Sequence, residues 1–195
     1  EHEVWNDKAF VESSHSAADH AFIYSTSFGA HKSVKTLSSA RGKAALLFLS
    51  STNLQKRDPK LDEKTNAKVS MIARTPPGSY VDENGNRAWD DKAEPKNTLD
   101  LAAAVEMPKT GAAAGTGDAG GDKNAKEGRA IVVGDSDVLA DMLIVQDANQ
   151  VFGYEAMLWL LRDDDKLSAE GIKPDEDVPI RHTRDEDTAW FYVTV

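Results

Sequence analysis

The stretch "AIVVGDSDVLADML" (130–143) decides between a catalytic and a structural reading of this chain, and its order of elements sets the fold class. Residues 129–134, "RAIVVG", form an apolar, β-branched run of strand length, as expected of a buried strand. Gly134 gives the chain a tight exit. Val138, Leu139, Met142 and Leu143 then fall on one face of a helix expected over 137–145. Between the two elements stand Asp135, Ser136 and Asp137, whose side-chain oxygens suit the unpaired N–H groups at a helix start. The expected element is a capped strand-to-helix turn.

The same residues invite two chemical readings. Gly134-Asp135-Ser136 resembles the nucleophile motif of GDSL-type esterases, with Ser136 attacking an acyl group. A serine nucleophile needs a base, and the base needs an orienting group. His182 is the only histidine after Ser136; that family's aspartate three residues before it is Pro179 here, and no Gly-x-Asn-Asp motif follows. Asp135-Ser136-Asp137 resembles the aspartate pair of haloacid-dehalogenase-type phosphatases, with Asp135 as nucleophile and Asp137 as acid. That chemistry requires a downstream lysine and further acidic magnesium ligands, whereas Lys166 and Lys173 lie in a polar connection. Two aspartates at a helix start also repel an anion. Capping explains the residue types without chemistry.

Outward from this turn, "HAFIYS" (20–25), "KAALLFLS" (43–50), "AKVSMIAR" (67–74) and "LDLAAAVEM" (99–107) read as strands. The unbroken apolar run at 43–50 suggests burial on both faces, as in a parallel sheet. Val34 and Leu37 suggest one weak helical turn within 29–42, and Pro76-Pro77-Gly78 ends regular structure. A second helix is expected from Asp147 or Asn149 to Arg162, with Val151, Tyr154, Leu158 and Leu161 on its inner face, Phe152 and Trp159 beside them, and Trp159 in the core. Residues 109–128 are glycine- and alanine-rich low complexity and are expected to form a loop. Residues 188–195, "TAWFYVTV", suit a final strand. No internal repeat is visible. The expected fold is a single α/β domain over 1–195, or a fragment of one, with a mixed or mostly parallel sheet and flanking helices.

Composition narrows the function. A net charge of −10 argues against nucleic acid and anionic lipid surfaces. Hydrophobic residues at 40% are enough for a core, and no apolar run approaches the roughly 20 residues of a membrane helix. The absence of cysteine removes thiol catalysis and cysteine-ligated zinc. The chain begins at Glu1 and stops in an aromatic run, and is read as an excised soluble piece of a longer protein.

One metal candidate arises. Asp82, Asn84, Asn86 and Asp90 occupy positions 1, 3, 5 and 9 of a loop whose alternating oxygens suit calcium. The glycine is at position 4 and Ala93 at position 12, unlike an EF-hand, and an Asn-Gly turn with polar flanks explains the stretch equally. His2, His15, His20 and His31 show no i, i+4 pair, and are expected on the surface or at caps. Asp163-Asp164-Asp165 and the two "DED" triplets are expected to be solvated.

Three segments resemble a known family in order: "GAHKSVKTLSSARGKAALLFLSSTNL" (29–54), "IARTPPGSYVDENGNRAWDDKAEPKNTLDLAAAVE" (72–106) and "GRAIVVGDSDVLADMLIVQDANQVFGYEAMLWLLRDDD" (128–165). Together they resemble the GldG-type auxiliary component of gliding-motility ABC transport systems. "EDVPIRHTRDEDTAWFYVTV" (176–195) looks like the segment leading into that family's last membrane helix. Lys32 and Tyr80 replace the family's proline and tryptophan. The resemblance implies an extracytoplasmic, membrane-tethered domain, periplasmic and at the inner membrane, glutamine-amidotransferase-like in outline. The amidotransferase triad needs a cysteine, which this chain lacks. The expectation is therefore a non-enzymatic binding or scaffold domain, with no catalytic residues and no cofactor beyond the calcium candidate. Its partners would be other subunits of a membrane transport or motility complex, or an envelope component. The alternatives are a hydrolase using the Gly134–Asp137 turn and a calcium-stabilised ligand-binding module.

Overall fold

A computed structural model describes residues 2–9, 17–57, 67–107 and 128–163. The strands are β1 (Glu3–Trp5), β2 (Phe22–Ser25), β3 (Ser27–Phe28), β4 (Leu46–Leu49), β5 (Lys68–Arg74), β6 (Tyr80–Asp82), β7 (Asp100–Met107) and β8 (Gly128–Val133). The α-helices are α1 (Lys35–Ser39), α2 (Asp141–Ile144) and α3 (Asp147–Leu160), with 3-10 turns at Ala17–Ala21 and Lys32–Val34. Four strands form one sheet in the order β3-β5-β7-β8, while β2 pairs with β4 and β1 with β6. The fold is mixed α/β.

Every pairing among the described strands is antiparallel. The expected mixed or mostly parallel sheet is thus not what these strands form. The apolar run 43–50 misdirected that expectation. Leu46, Leu47 and Phe48 are buried, but β4 lies antiparallel to β2, with Ile23 opposite Phe48. The burial of β4 comes from packing within the core, α3 included, and does not depend on strand direction. β7 shows the same effect: Leu101, Ala102, Ala103 and Ala104 are all buried, although successive side chains point to opposite faces. Small alanines permit close cover on both sides.

The main core joins Leu46, Phe48, Ile72, Leu101 and Val138 to Phe152, Leu158 and Trp159 of α3. Burying Phe152 and Trp159 contributes about 1.5–3 kcal/mol each. The inner face of α3 differs from the expected one. It carries Ala148, Asn149, Phe152, Glu155, Ala156, Trp159 and the expected Leu158, with Val151 packed partly against the core, while Tyr154 and Leu161 face outward. Apolar residues surround this helix almost completely, so hydrophobic periodicity alone does not choose a face. Trp159 is buried as expected; the His31 ring lies edge-on to it, with centroids 4.9 Å apart, and the Arg129 guanidinium lies 5.1 Å from its ring centroid.

The helix expected over 137–145 shrinks to α2, preceded by a turn in which Ala140 N–H donates to the Asp137 carbonyl. The low-complexity stretch up to 127, the strand expected over 188–195, His15, His182 and the acidic runs after 163 lie outside the described residues.

Candidate functional site

Gly134 sits where three segments converge. Its N–H donates to the Leu101 carbonyl at 2.9 Å, and its carbonyl accepts from Thr52 N–H at 2.7 Å. A Cβ at this position would lie 2.0 Å from the Thr52 carbonyl oxygen. The glycine is therefore required by the close approach of the Thr52 backbone.

Asp135 is buried, and its two oxygens divide the work. Oδ1 accepts from Asp137 N–H at 2.6 Å, which closes the turn. Oδ2 accepts from Leu49 N–H at 2.7 Å, which ties the turn to β4. Burial pushes the Asp135 carboxyl above the usual carboxylate range, against the opposing pull of those N–H groups. Ser136 is exposed, with Oγ 3.3 Å from Asp137 Oδ1. Among the described residues, no histidine or lysine hydrogen-bonds to Ser136. The capping role expected of the triplet falls on Asp135, and it serves the turn. The α2 N-terminus receives no side-chain cap.

Two buried polar residues of α3 complete the arrangement. The Asn149 side chain is fully buried. Its Oδ1 accepts from Leu47 N–H at 3.1 Å, and its Nδ2 donates to the carbonyls of Leu47 at 2.9 Å and Val138 at 2.8 Å. In β4 the peptide groups of Leu47 and Leu49 face away from β2. Asn149 and Asp135 thus take the place of a neighbouring strand along that edge, which would otherwise leave buried peptide groups unpaired. Glu155 acts likewise on α1, accepting from Thr36 N–H at 2.9 Å and Thr36 Oγ1 at 2.7 Å. This supplies the N-terminal cap that α1 lacks from its own Val34.

Burial raises the Glu155 carboxyl above its ordinary value, outweighing the Thr36 hydrogen bonds and the Lys35 charge. A group raised in this way contributes stability that is full below its unfolded pKa and lost as pH rises through its folded pKa. Glu155→Gln removes the titration while keeping an oxygen for Thr36. The variant is therefore expected to gain in melting temperature on the parent chain as pH rises from the acid range to neutrality. A parent chain that gains on the variant over that range would show that the Thr36 bonds outweigh burial.

The four calcium candidates each accept a backbone N–H. Asp82 is buried and accepts from Gly85 at 2.8 Å and Arg87 at 2.9 Å. Asn84 accepts from Asn86, Asn86 from Ala88, and Asp90 from Lys92. Glu94, which the sequence did not single out, is buried and accepts from the N–H groups of Glu83 at 3.0 Å and Asp90 at 2.9 Å, fastening the loop from within. Among the described residues, no group of three or more His, Asp or Glu side chains is placed to hold a metal ion. His31 Nδ1 accepts from Ser33 N–H and caps the adjoining 3-10 turn.

The outward side of α2, α3 and their C-terminal caps carries several apolar residues, beside the exposed Asp141, Asp147 and Gln150. Met142 is 58% exposed, Val145 63%, Met157 62% and Leu161 70%, with Tyr154 and Leu160 also exposed. No helix among the described residues is long and apolar enough to cross a membrane. No family model, curated protein or solved structure matches this chain.

Proposed function

We propose that this chain is a non-enzymatic binding or scaffold domain of a membrane-anchored auxiliary protein of the GldG type, held on the extracytoplasmic side and acting through contacts with other subunits or an envelope component. The amidotransferase-like outline belongs to the same proposal. The observation that carries it is the exposed apolar surface of α2 and α3, since clusters of exposed apolar side chains mark interaction sites. The bonding of the Gly134–Asp137 turn supports it: Asp135 is engaged by Leu49 and Asp137 and is not displayed to a substrate.

The test is site-specific photocrosslinking in the cell of origin. A crosslinker at Met157 or Leu161 is expected to capture a defined partner, whereas one at the exposed Lys92, in the 82–94 loop, is not. Ser136→Ala is expected to leave capture unchanged and to shift stability by less than about 0.5 kcal/mol, as for an exposed position. Absence of adducts at both helical positions, together with a hydrolytic activity abolished by Ser136→Ala, would return the function to the turn.

A further inference from the structure

The two oxygens of Asp82 hold the two peptide nitrogens that directly follow asparagines. Oδ1 accepts from Gly85 N–H at 2.8 Å and Oδ2 from Arg87 N–H at 2.9 Å, and the residues before them are Asn84 and Asn86. These nitrogens are the atoms that attack an asparagine side chain when it deamidates. We propose that Asn84-Gly85 is a site of spontaneous deamidation, and that the buried Asp82 carboxylate restrains its rate by holding the attacking nitrogen. The reaction needs no partner but water. Gly85 N gives its proton to solvent base and bonds to Asn84 Cγ. The bond from Cγ to Nδ2 then breaks, and the amide nitrogen takes a proton from water and leaves as ammonia. The cyclic succinimide adds water at either carbonyl, giving aspartate or isoaspartate. Nothing is oxidised or reduced.

The loop favours Asn84 over Asn86. Both are exposed, and each side-chain oxygen accepts an N–H two residues on, Asn84 from Asn86 and Asn86 from Ala88. The residue that follows makes the difference. Gly85 has no side chain, and the space where a Cβ would stand is open, so nothing covers its nitrogen on that side. The Arg87 nitrogen is flanked by its own side chain. Asp82 opposes both reactions. An amide that donates to a carboxylate cannot lose its proton without setting two negative charges side by side. The carboxylate cannot turn away, being buried and bonded through both oxygens. Conversion replaces a neutral amide by a carboxylate beside Glu83, and isoaspartate lengthens the backbone inside the turn that follows β6. The converted chain is therefore expected to melt lower than the parent.

The test is incubation of the full chain at physiological temperature and slightly alkaline pH, with mass spectrometry of its digest locating the mass gain at Asn84 or Asn86 over time. A free peptide of residues 79–90 is the unrestrained reference. Asn84 in the parent chain is expected to convert at least about tenfold more slowly than in the peptide, the factor that one hydrogen bond to a charged group supplies. Asp82→Ala is expected to remove most of that difference and to speed both sites, with Asn84 still the faster. Glu94→Gln weakens the fastening of the same loop without touching Asp82, and is expected to leave both rates near those of the parent. A parent chain whose Asn84 converts as fast as the peptide's overturns the proposal, and this comparison decides it alone if Asp82→Ala fails to fold. A folded Asp82→Ala chain that converts no faster than the parent also overturns it. So does conversion at Asn86 ahead of Asn84, or a Glu94→Gln rate equal to that of Asp82→Ala, which would assign the protection to loop rigidity.

Discussion

Asn149→Ala is expected to destabilise the fold by about 3–5 kcal/mol, a large share of the total stability of a domain. The substitution strands Leu47 N–H, the Leu47 carbonyl and the Val138 carbonyl in the interior. It also opens a void beside Phe152, which lies one turn further along the same helix face. Asn149→Asp separates the two causes. Aspartate keeps the volume and accepts from Leu47 N–H, but it sets a carboxylate oxygen against two carbonyls. It is expected to be at least as damaging as alanine at neutral pH and to recover in acid, when that oxygen carries a proton. Urea denaturation of the three chains at two pH values measures this. A loss below about 1 kcal/mol for both variants would show that β4 does not depend on this side chain.

The second large effect is expected at Gly134. Gly134→Ala places a Cβ 2.0 Å from the Thr52 carbonyl oxygen, well inside contact distance. Both hydrogen bonds of the Gly134 peptide hold the segments that would have to move, one to Leu101 and one to Thr52. The cost is about 3 kcal/mol or more, at the upper end for overpacking, because the obstacle is backbone and not a side chain that can rotate. Gly85→Ala is the control. Gly85 has a φ of +71° and open space around its would-be Cβ, so its cost is conformational and about 1 kcal/mol. A Gly134→Ala variant as stable as Gly85→Ala would mean that β8 and Thr52 are not apposed.

Among the described residues, the strands that hydrophobic pattern announces are present. β5 and β7 fall within 67–74 and 99–107, β4 within 43–50 and β8 against the Gly134 turn, and α3 begins at Asp147, one of its two expected starts. Pairing direction was not legible, because it depends on which strands meet and not on any one strand's composition. β1 and β3 were not legible either: with three and two residues, they are strands only by virtue of their partners β6 and β5. The helix at 137–145 was overextended because the apolar spacing of Val138, Leu139, Met142 and Leu143 outlasts the backbone that realises it. The Asp135 side chain closes a turn there instead, and Leu139 and Met142 face solvent.

The polar residues of the site were legible by type and not by partner. Asp135 reads as an acceptor in sequence, but Leu49, which it binds, lies 86 residues away. Asn149 and Glu155 were passed over because polar residues at an end or flank of a helix usually face water. Their spacing with Phe152 and Trp159 was the available signal: 149, 152, 155–156 and 159 repeat as one helical face. A polar residue at such a position implies a distant backbone group in need of a partner.

Asp135 is where the structural and catalytic readings of the turn make opposite demands. Asp135→Ala, studied by amide hydrogen exchange alongside ester and phosphate-ester hydrolysis assays, therefore tests the account most directly. The account predicts a loss of about 1–3 kcal/mol, faster exchange at Leu49 with the β5–β7 amides retaining their order of protection, and hydrolysis no different from that of the parent chain. Unchanged protection at Leu49, with a parent hydrolytic activity that disappears in the variant, would contradict it and make Asp135 a reacting group.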